Sequence, residues 1–422
     1  MKIINGDCLE ELKRLEDNSV DAVITDPPYG LSNTKPVQVA EILGRWVNGD
    51  VSHVPEKRGG FMGKDWDSFV PPPAVWEECM RVLKPGGHMA VFAGARTQDL
   101  MGLSIRLAGF EIRDTLGWIY GSGFPKSMDV SKAIDKAAGA EREVVGRAKG
   151  AQAESTGRYG AWGNDRGDGI SEYNLTAPAT PEAQRWDGWG TALKPAIEPI
   201  ILARKPLDGT VANNVLAHGV GGLNIDASRV ATGDTLSIGS GKPAFASDFS
   251  GSNPGTQNPA GRFPANVLLD EHAAKEMDEQ SGVSKSPTGL ITQGGDHFSI
   301  GSEEKTRGTK FQGHGDSGGA SRFFPVFKYQ AKAPKKERPV IEREDGTKIQ
   351  HPTVKPLALM EWLVTLITPE GGTILDPFAG TGTTLQAATN KGFNPIGIEA
   401  DADYIQLINT RLEGGEQSTR SN

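Results

Sequence analysis

Two short stretches carry side chains of a type and spacing that can do chemistry. The first is DAVITDPPYG, residues 21–30, in which an apolar run, Ala22 to Ile24, ends in Thr25 and then in Asp26, Pro27, Pro28 and Tyr29. A strand that reads as buried therefore stops on a carboxylate, two residues without an amide donor and an aromatic ring. Proline cannot continue a central strand, so a plain strand end and turn explains the prolines but leaves the acid and the ring unexplained. The second stretch runs from Thr373 through DPFAGTGTT to a second strand, NPIGIE, that ends on Glu399. In a doubly wound sheet such a turn grips a cofactor above the strand ends, and an acid about twenty residues on takes its ribose hydroxyls. The glycine spacing is FAGTGT, not the GxGxxG of a dinucleotide site. A compact turn opened by Asp376 suits a cationic, single-nucleoside cofactor better than a pyrophosphate.

The elements that must hold these stretches alternate between strand and helix. KIIN (2–5) reads as a strand, CLEELKRL as a helix and DAVIT as the next strand. VWEECMRVLK has apolar residues at helical spacing, PGG breaks it, and HMAVFAG is a strand. TQDLMGLSIRLAGF, EIRDTLGWIY and EPIILARKP continue as helix, strand and strand. From about residue 351 a loop and helix, HPTVKPLALMEWLVTLIT, lead into the glycine-rich turn. Such alternation means a mostly parallel sheet with helices on both faces. The middle differs: 146–190, 231–262 and 283–320 are rich in Gly, Ser, Asn and Asp and read as long loops or partly disordered inserts.

Composition excludes several classes. A chain of 422 residues has room for a large α/β domain with insertions or a second small domain. The formal net charge of −8 argues against a protein that coats nucleic acid nonspecifically, yet leaves room for a local basic groove. Two cysteines, Cys8 and Cys79, make neither a disulfide framework nor a metal cluster and fit a reducing cytoplasm. No apolar run approaches a membrane span, and the N-terminus is no signal peptide.

DPPY, HPTVKP and FAGTGT together resemble the S-adenosylmethionine-dependent DNA amino-methyltransferases, which methylate adenine N6 or cytosine N4. The order DPPY, a long middle, HPTVKP and FAGTGT resembles the circularly permuted β-type subgroup, and the likeness covers roughly 1–145, 185–207 and 322–413. It implies an α/β fold of the class I methyltransferase type: a doubly wound, mostly parallel seven-stranded sheet, circularly permuted, with a loop-rich target-recognition insertion. The implied division is 1–207 for the catalytic part, with an insertion at 123–190, and 208–325 for target recognition. The cofactor-binding part then takes 326–413, and 414–422 is a disordered tail.

The resemblance also implies roles. Asp26 and the backbone carbonyl of Pro27 offer two acceptors to the N–H groups of an exocyclic amine, Pro28 stiffens the loop and Tyr29 stacks on the flipped base. S-adenosyl-L-methionine is expected against Asp7, Cys8, Asp26, His351, Thr353 and Lys355. Asp376, Phe378, Ala379, Gly380, Thr381, Gly382, Thr383, Thr384, Glu399 and Ala400 complete that set. Methylation at cytosine C5 would need a cysteine nucleophile, whereas Cys79 sits in an apolar helical pattern and reads as core. DPPY favours adenine N6, since SPPY is the usual cytosine N4 form.

The implied partner is double-stranded DNA; a homodimer is compatible, and a partner endonuclease is not legible. Phosphate and base contacts are expected from Arg229, Arg262, Arg307 and Arg322, and from Lys332, Lys335, Lys336 and Arg338 in the basic run before HPTVKP. Each of these also reads as an ordinary surface cation. Two other functions remain open: methylation of RNA or a protein amide through the same geometry, and DNA binding without turnover. Methylation assays on duplex DNA, RNA and protein separate them.

Overall fold

Val20–Thr25 is buried at every position, including Asp21 and Thr25, the pattern of a central parallel strand covered on both faces. In the computed structural model this strand lies in the middle of a large sheet. The structure describes residues 1–32, 34–55, 67–121, 123, 127–149, 172–231, 261–285, 288–293, 309–314, 317–327, 339–343, 348–349 and 354–419.

Nine strands build the main sheet among the described residues, two more than the seven expected. In chain order they are β1 (Lys2–Asn5), β2 (Val20–Thr25), β3 (Leu83–Phe92), β4 (Glu111–Ile119), β5 (Ile197–Arg204), β6 (Val267–Asp270), β7 (Val326–Phe327), β8 (Thr373–Asp376) and β9 (Asn394–Glu399). Their order across the sheet is β1-β9-β8-β2-β3-β5-β4-β6-β7. Every neighbouring pair is parallel except the two made by β5, which runs against both β3 and β4. The two extra strands, β6 and β7, extend the sheet beyond β4.

From β8 the chain proceeds through helix Thr383–Asn390 to β9 on one side, whereas from β2 it proceeds through helix Pro73–Val82 to β3 on the other. Neighbouring strands β8 and β2 thus flank a reversal of winding, the place where open α/β sheets bind ligands beyond their carboxyl ends. Both chemical stretches sit there: Asp26 directly follows β2, and Asp376 closes β8.

Several local expectations change. The PGG at 85–87 does not separate helix from strand: the helix gives way at Leu83 to β3, and a register shift absorbs the irregularity between Val20↔Leu83 and Ala22↔His88. Helix Pro36–Val47, which the sequence reading leaves out, buries Ile42 and Trp46 against the core. Segments read as loops carry antiparallel pairs at their margins, Val144–Lys149 with Glu172–Thr176 and Thr288–Gln293 with Thr309–His314. Helix Ala402–Thr419 runs through much of the expected disordered tail, continuing past Gly414 and Gly415, although glycine costs a helix ~1 kcal/mol relative to alanine.

The chain forms two compact units, one of Met1–Ile119, Ile197–Tyr329 and Ala333–Asn422, the other of Tyr120–Ala196 with 330–332. The separate unit is therefore the insertion. The expected recognition region 208–325 contributes β6 to the first unit's sheet, because Leu268 and Leu269 are fully buried beside β4. In the second unit, helix Val130–Ala137 buries Asp135, whose carboxylate accepts from Arg142 Nη1 at 2.7 Å, from the amides of Ala179 and Thr180 at 3.0 Å and from Thr180 Oγ1 at 2.8 Å. This is the SKAIDKAA segment, and its buried acid organises that unit's fold. Among the described residues no helix is long and apolar enough to cross a membrane.

Candidate active site

Pro27 and Pro28 lack amide hydrogens, so the β2 ladder ends at Thr25 and the chain leaves the sheet with Asp26 at its edge. Gly30 then takes φ +66° and donates its amide to Asp67 Oδ1 at 2.8 Å. A Cβ at Gly30 would stand 2.6 Å from the Val70 amide nitrogen, so this close approach requires glycine. Thr97 Oγ1 donates to the Tyr29 carbonyl at 2.6 Å and closes the loop from the other side.

Tyr29 points its hydroxyl back into the loop. Its oxygen lies 2.7 Å from Asp26 Oδ1 and 2.6 Å from Glu198 Oε1. Lys355 joins them, with Nζ 2.9 Å from the Tyr29 oxygen, 2.8 Å from Glu198 Oε1 and 3.1 Å from Asp26 Oδ1. The ammonium also stands 4.7 Å from the centre of the Phe92 ring. Burial and the two carboxylates hold the Tyr29 phenol well above its usual range. For Lys355 burial opposes the charge, but Asp26 and Glu198 outweigh it and keep the group an ammonium. Lys355, expected at the cofactor, thus ends on the Asp26 carboxylate.

The glycine-rich turn is held from both sides. Gly380 and Gly382 have φ +53° and +74°, and a Cβ on Gly382 would come within 3.0 Å of Ile408. Glu399 Oε2 accepts the Gly380 amide and Oε1 the Asp401 amide, both at 2.8 Å. Burial nevertheless pushes the Glu399 carboxyl up to about 7. Asp376 is almost fully buried, and burial pushes it up to about 6 against hydrogen bonds from Thr384, Thr25 and the Phe378 amide. Phe378 leans on Trp76, with centroids 6.4 Å apart, and Ala379 packs with Leu385 and Ile408. Thr381, Thr383 and Thr384 are buried, Thr381 accepting from Arg411 Nη2 at 3.3 Å. These side chains brace the turn from behind.

β1 brings the N-terminal residues to the same edge. The Gly6 amide donates to the Glu399 carbonyl at 3.0 Å, and Asn5 Nδ2 to the carbonyls of Glu399 and Ala400 at 2.9 and 3.2 Å. Asp7 caps helix Cys8–Leu12 by accepting from the Leu9 and Glu10 amides. Burial, then Asp7, push the Cys8 thiol up to about 12, so it is no thiolate nucleophile. Cys79 is fully buried in the core.

Asp7, Cys8, Asp26, Tyr29, Lys355, the 376–384 turn, Glu399 and Ala400 therefore meet at one edge of the sheet. His351, Thr353, Arg307, Lys332, Lys335, Lys336 and Arg338 lie outside the described residues. The three described arginines expected to meet DNA have intramolecular partners. Arg229 donates to Asp226 at 2.8 Å and to the Gly261 carbonyl, and Arg262 to the Arg322 carbonyl at 3.1 Å. Arg322 donates to the carbonyls of Gly318 and Gly319 and to Ser284 Oγ. Sequence reasoning missed Glu198, Gly30, Asp67 and Thr97. For Glu198 a signal exists: it opens the apolar strand EPIILARKP, and an antiparallel strand begins where its parallel neighbours end.

A family model described as DNA methylase matches residues 20–143 and 183–410. The type II methyltransferase M.HindIII of Haemophilus influenzae is 23% identical over 97% of this chain and 94% of its own length. M2.DpnII of Streptococcus pneumoniae is 42% identical over 16% of this chain and 26% of its own length. Among solved structures, the cytosine-N4-specific PvuII DNA methyltransferase aligns over 100% of this chain and 93% of that one, with 12% identity and a TM-score of 0.44. The M1.HpyAVI–SAM complex aligns over 97% and 98%, with 15% identity and a TM-score of 0.38. With the family model spanning both the Asp26 loop and the Glu399 turn, the chain belongs to the N6/N4 DNA methylase family.

Proposed function

We propose that this DNA methyltransferase moves a methyl group from S-adenosylmethionine to the exocyclic amine of a base flipped out of duplex DNA, with adenine N6 the favoured target. The observation that carries the reading is the adjacency of β2 and β8, which sets the Asp26 loop beside the turn gripped by Glu399. The donor set fits the cofactor. Asp7, Asp376 and Glu399 offer carboxylates to ribose hydroxyls and to cationic groups, and the glycine turn takes a backbone path that side chains would obstruct. S-adenosylmethionine supplies an electrophilic methyl group when bound.

The chain's own residues handle the amine. Its lone pair is delocalised into the ring, and two fixed acceptors, the Asp26 carboxylate and the Pro27 carbonyl, favour localising it. Extruding a base costs a few kcal/mol, and stacking on an aromatic returns ~1–3 kcal/mol. The Tyr29 ring thus offsets extrusion and leaves the remaining affinity to phosphate and base contacts. Sequence-directed contacts are assigned to the 208–325 region, and phosphate contacts that read no sequence to the basic run 332–338. We likewise retain the circularly permuted order and a cytoplasmic setting, the latter supported by two free cysteines.

Long-read modification mapping of DNA from cells expressing the protein tests the reading. N6-methyladenine at one recognition sequence is expected. N4-methylcytosine would transfer the proposal to the other amine, and unmodified DNA with methylated RNA or protein would overturn it. A homodimer is tested by light scattering with and without duplex DNA.

A further inference from the structure

Four groups meet around one phenolic oxygen, and their hydrogens can be counted. Lys355 has three N–H donors, and three acceptors stand within reach of its nitrogen: the Tyr29 oxygen at 2.9 Å, Glu198 Oε1 at 2.8 Å and Asp26 Oδ1 at 3.1 Å. Tyr29 has one O–H, and two carboxylate oxygens stand 2.7 and 2.6 Å from it. A single hydroxyl hydrogen satisfies one of the two at a time. Asp26 Oδ1 and Glu198 Oε1 thus compete for the Tyr29 hydrogen and the Lys355 ammonium, and Glu198 Oε1 is the nearer acceptor to both.

Under the proposed function, Asp26 accepts an N–H of the target amine. A carboxylate already engaged by a phenol and an ammonium is a weaker acceptor for a third donor. Glu198 offers both donors a second home without moving the backbone. It comes from the start of β5, which runs against both its neighbours in the main sheet, and its carboxylate is mostly shielded from solvent, with a side-chain exposure of 20%. The site thus contains two carboxylates and one ammonium, so one negative charge remains after the ion pair is made.

We propose that Glu198 is a positioning residue that keeps Asp26 available to the target amine by holding the Tyr29 hydroxyl hydrogen and the larger share of the Lys355 ammonium. With the hydroxyl hydrogen on Glu198 Oε1, the nearer acceptor at 2.6 Å, no covalent bond changes and the Asp26 carboxylate keeps acceptor capacity for the base. The same hydrogen bond pins the Tyr29 ring from its hydroxyl end. The inference rests on Asp26 acting on the amine as described under Proposed function.

The test uses the full chain, S-adenosylmethionine with a tritiated methyl group and PCR-amplified, unmodified genomic DNA. Glu198→Ala should lower kcat at least tenfold while the KM for S-adenosylmethionine stays within twofold, and Glu198→Gln, which keeps a neutral acceptor, should fall between it and the wild type. Adding Tyr29→Phe to Glu198→Ala keeps the ring and removes the hydroxyl that would otherwise stay on Asp26, so the double variant should recover severalfold over Glu198→Ala. A purely structural Glu198 gives no such recovery. Wild-type turnover in Glu198→Ala, or a double variant no better than the single one, overturns the inference. If the wild type methylates no DNA, the reading of function fails separately. The shared hydrogen bond is then decided by urea midpoints, where strictly additive shifts for Glu198→Ala and Tyr29→Phe overturn it.

Discussion

Thr25 Oγ1 donates to Asp376 Oδ1 at 2.7 Å, a buried hydrogen bond between residues 351 positions apart in the chain. It ties the last residue of β2, one before Asp26, to the last residue of β8, where the glycine-rich turn begins. The Asp26 loop and the glycine-rich turn are thereby held in one register. A hydrogen bond to a charged or partly charged buried group is worth ~1.5–3 kcal/mol. Thr25→Val, which keeps the shape, should lower unfolding free energy by about that amount and weaken cofactor binding, as read by urea denaturation and calorimetry.

Asp26→Asn should abolish methyl transfer and leave the affinity for S-adenosylmethionine within a few fold of wild type. The amide keeps the volume but loses the charge that draws the amine's hydrogen, and Lys355 is left with Glu198 alone as counterion. Turnover near the wild-type value at saturating DNA would remove Asp26 from its role.

Glu399 should make cofactor affinity depend on pH. Burial raises its carboxyl to about 7 from an ordinary 4.5, so the free protein holds this proton below neutrality. In the proposed complex the ribose takes the carboxylate, so binding should release a proton at low pH. Affinity should fall about tenfold between pH 8 and pH 6. Glu399→Gln should bind about ten- to a hundredfold more weakly at pH 8, through loss of a charge-assisted hydrogen bond, and show a flatter pH dependence. For folding of the protein without cofactor the sign is opposite. The raised value contributes stability below pH 4.5 that is lost as pH rises through 7.

Gly30→Ala should be costly although alanine is small. The backbone is at φ +66°, and the added methyl would meet Val70 and Phe69 backbone atoms at 2.6 and 2.7 Å. The strain costs about 1–3 kcal/mol, read as a lower melting temperature. Because Gly30 follows Tyr29 directly, kcat should fall as well.

DNA affinity should separate two kinds of cation. Replacing Lys335 and Lys336 by Ala should weaken binding to all duplexes alike and flatten the slope of log K against log salt by ~0.9 per lost phosphate contact. Arg322→Ala should instead lower stability and leave that slope unchanged, because its guanidinium is engaged by Gly318, Gly319 and Ser284. A slope that is unchanged in the lysine variant would return those lysines to ordinary surface.

Local features determined much of this in the sequence alone. Val20–Thr25, Thr373–Asp376 and Asn394–Glu399 are legible as strands because each is a short apolar run with its own stop signal, a proline pair, a glycine turn or an acid. The candidate residues at those stops are legible for the same reason, since a carboxylate at the end of a buried strand has few structural uses. What tertiary structure alone decided is which distant groups meet. Glu198 stands 169 positions from Tyr29 and lies beside it because β5 runs antiparallel, a direction no local pattern encodes. Lys355 meets Asp26 and Glu198 for a similar reason: a flexible side chain ends where two partly buried carboxylates draw its charge. The arginines of the middle region look equally cationic in sequence, and only the fold shows Arg229, Arg262 and Arg322 donating to loop carbonyls. The sheet's two extra strands escape the sequence because Val267–Asp270 and Val326–Phe327 are too short to show a period and are stabilised by pairing beside β4.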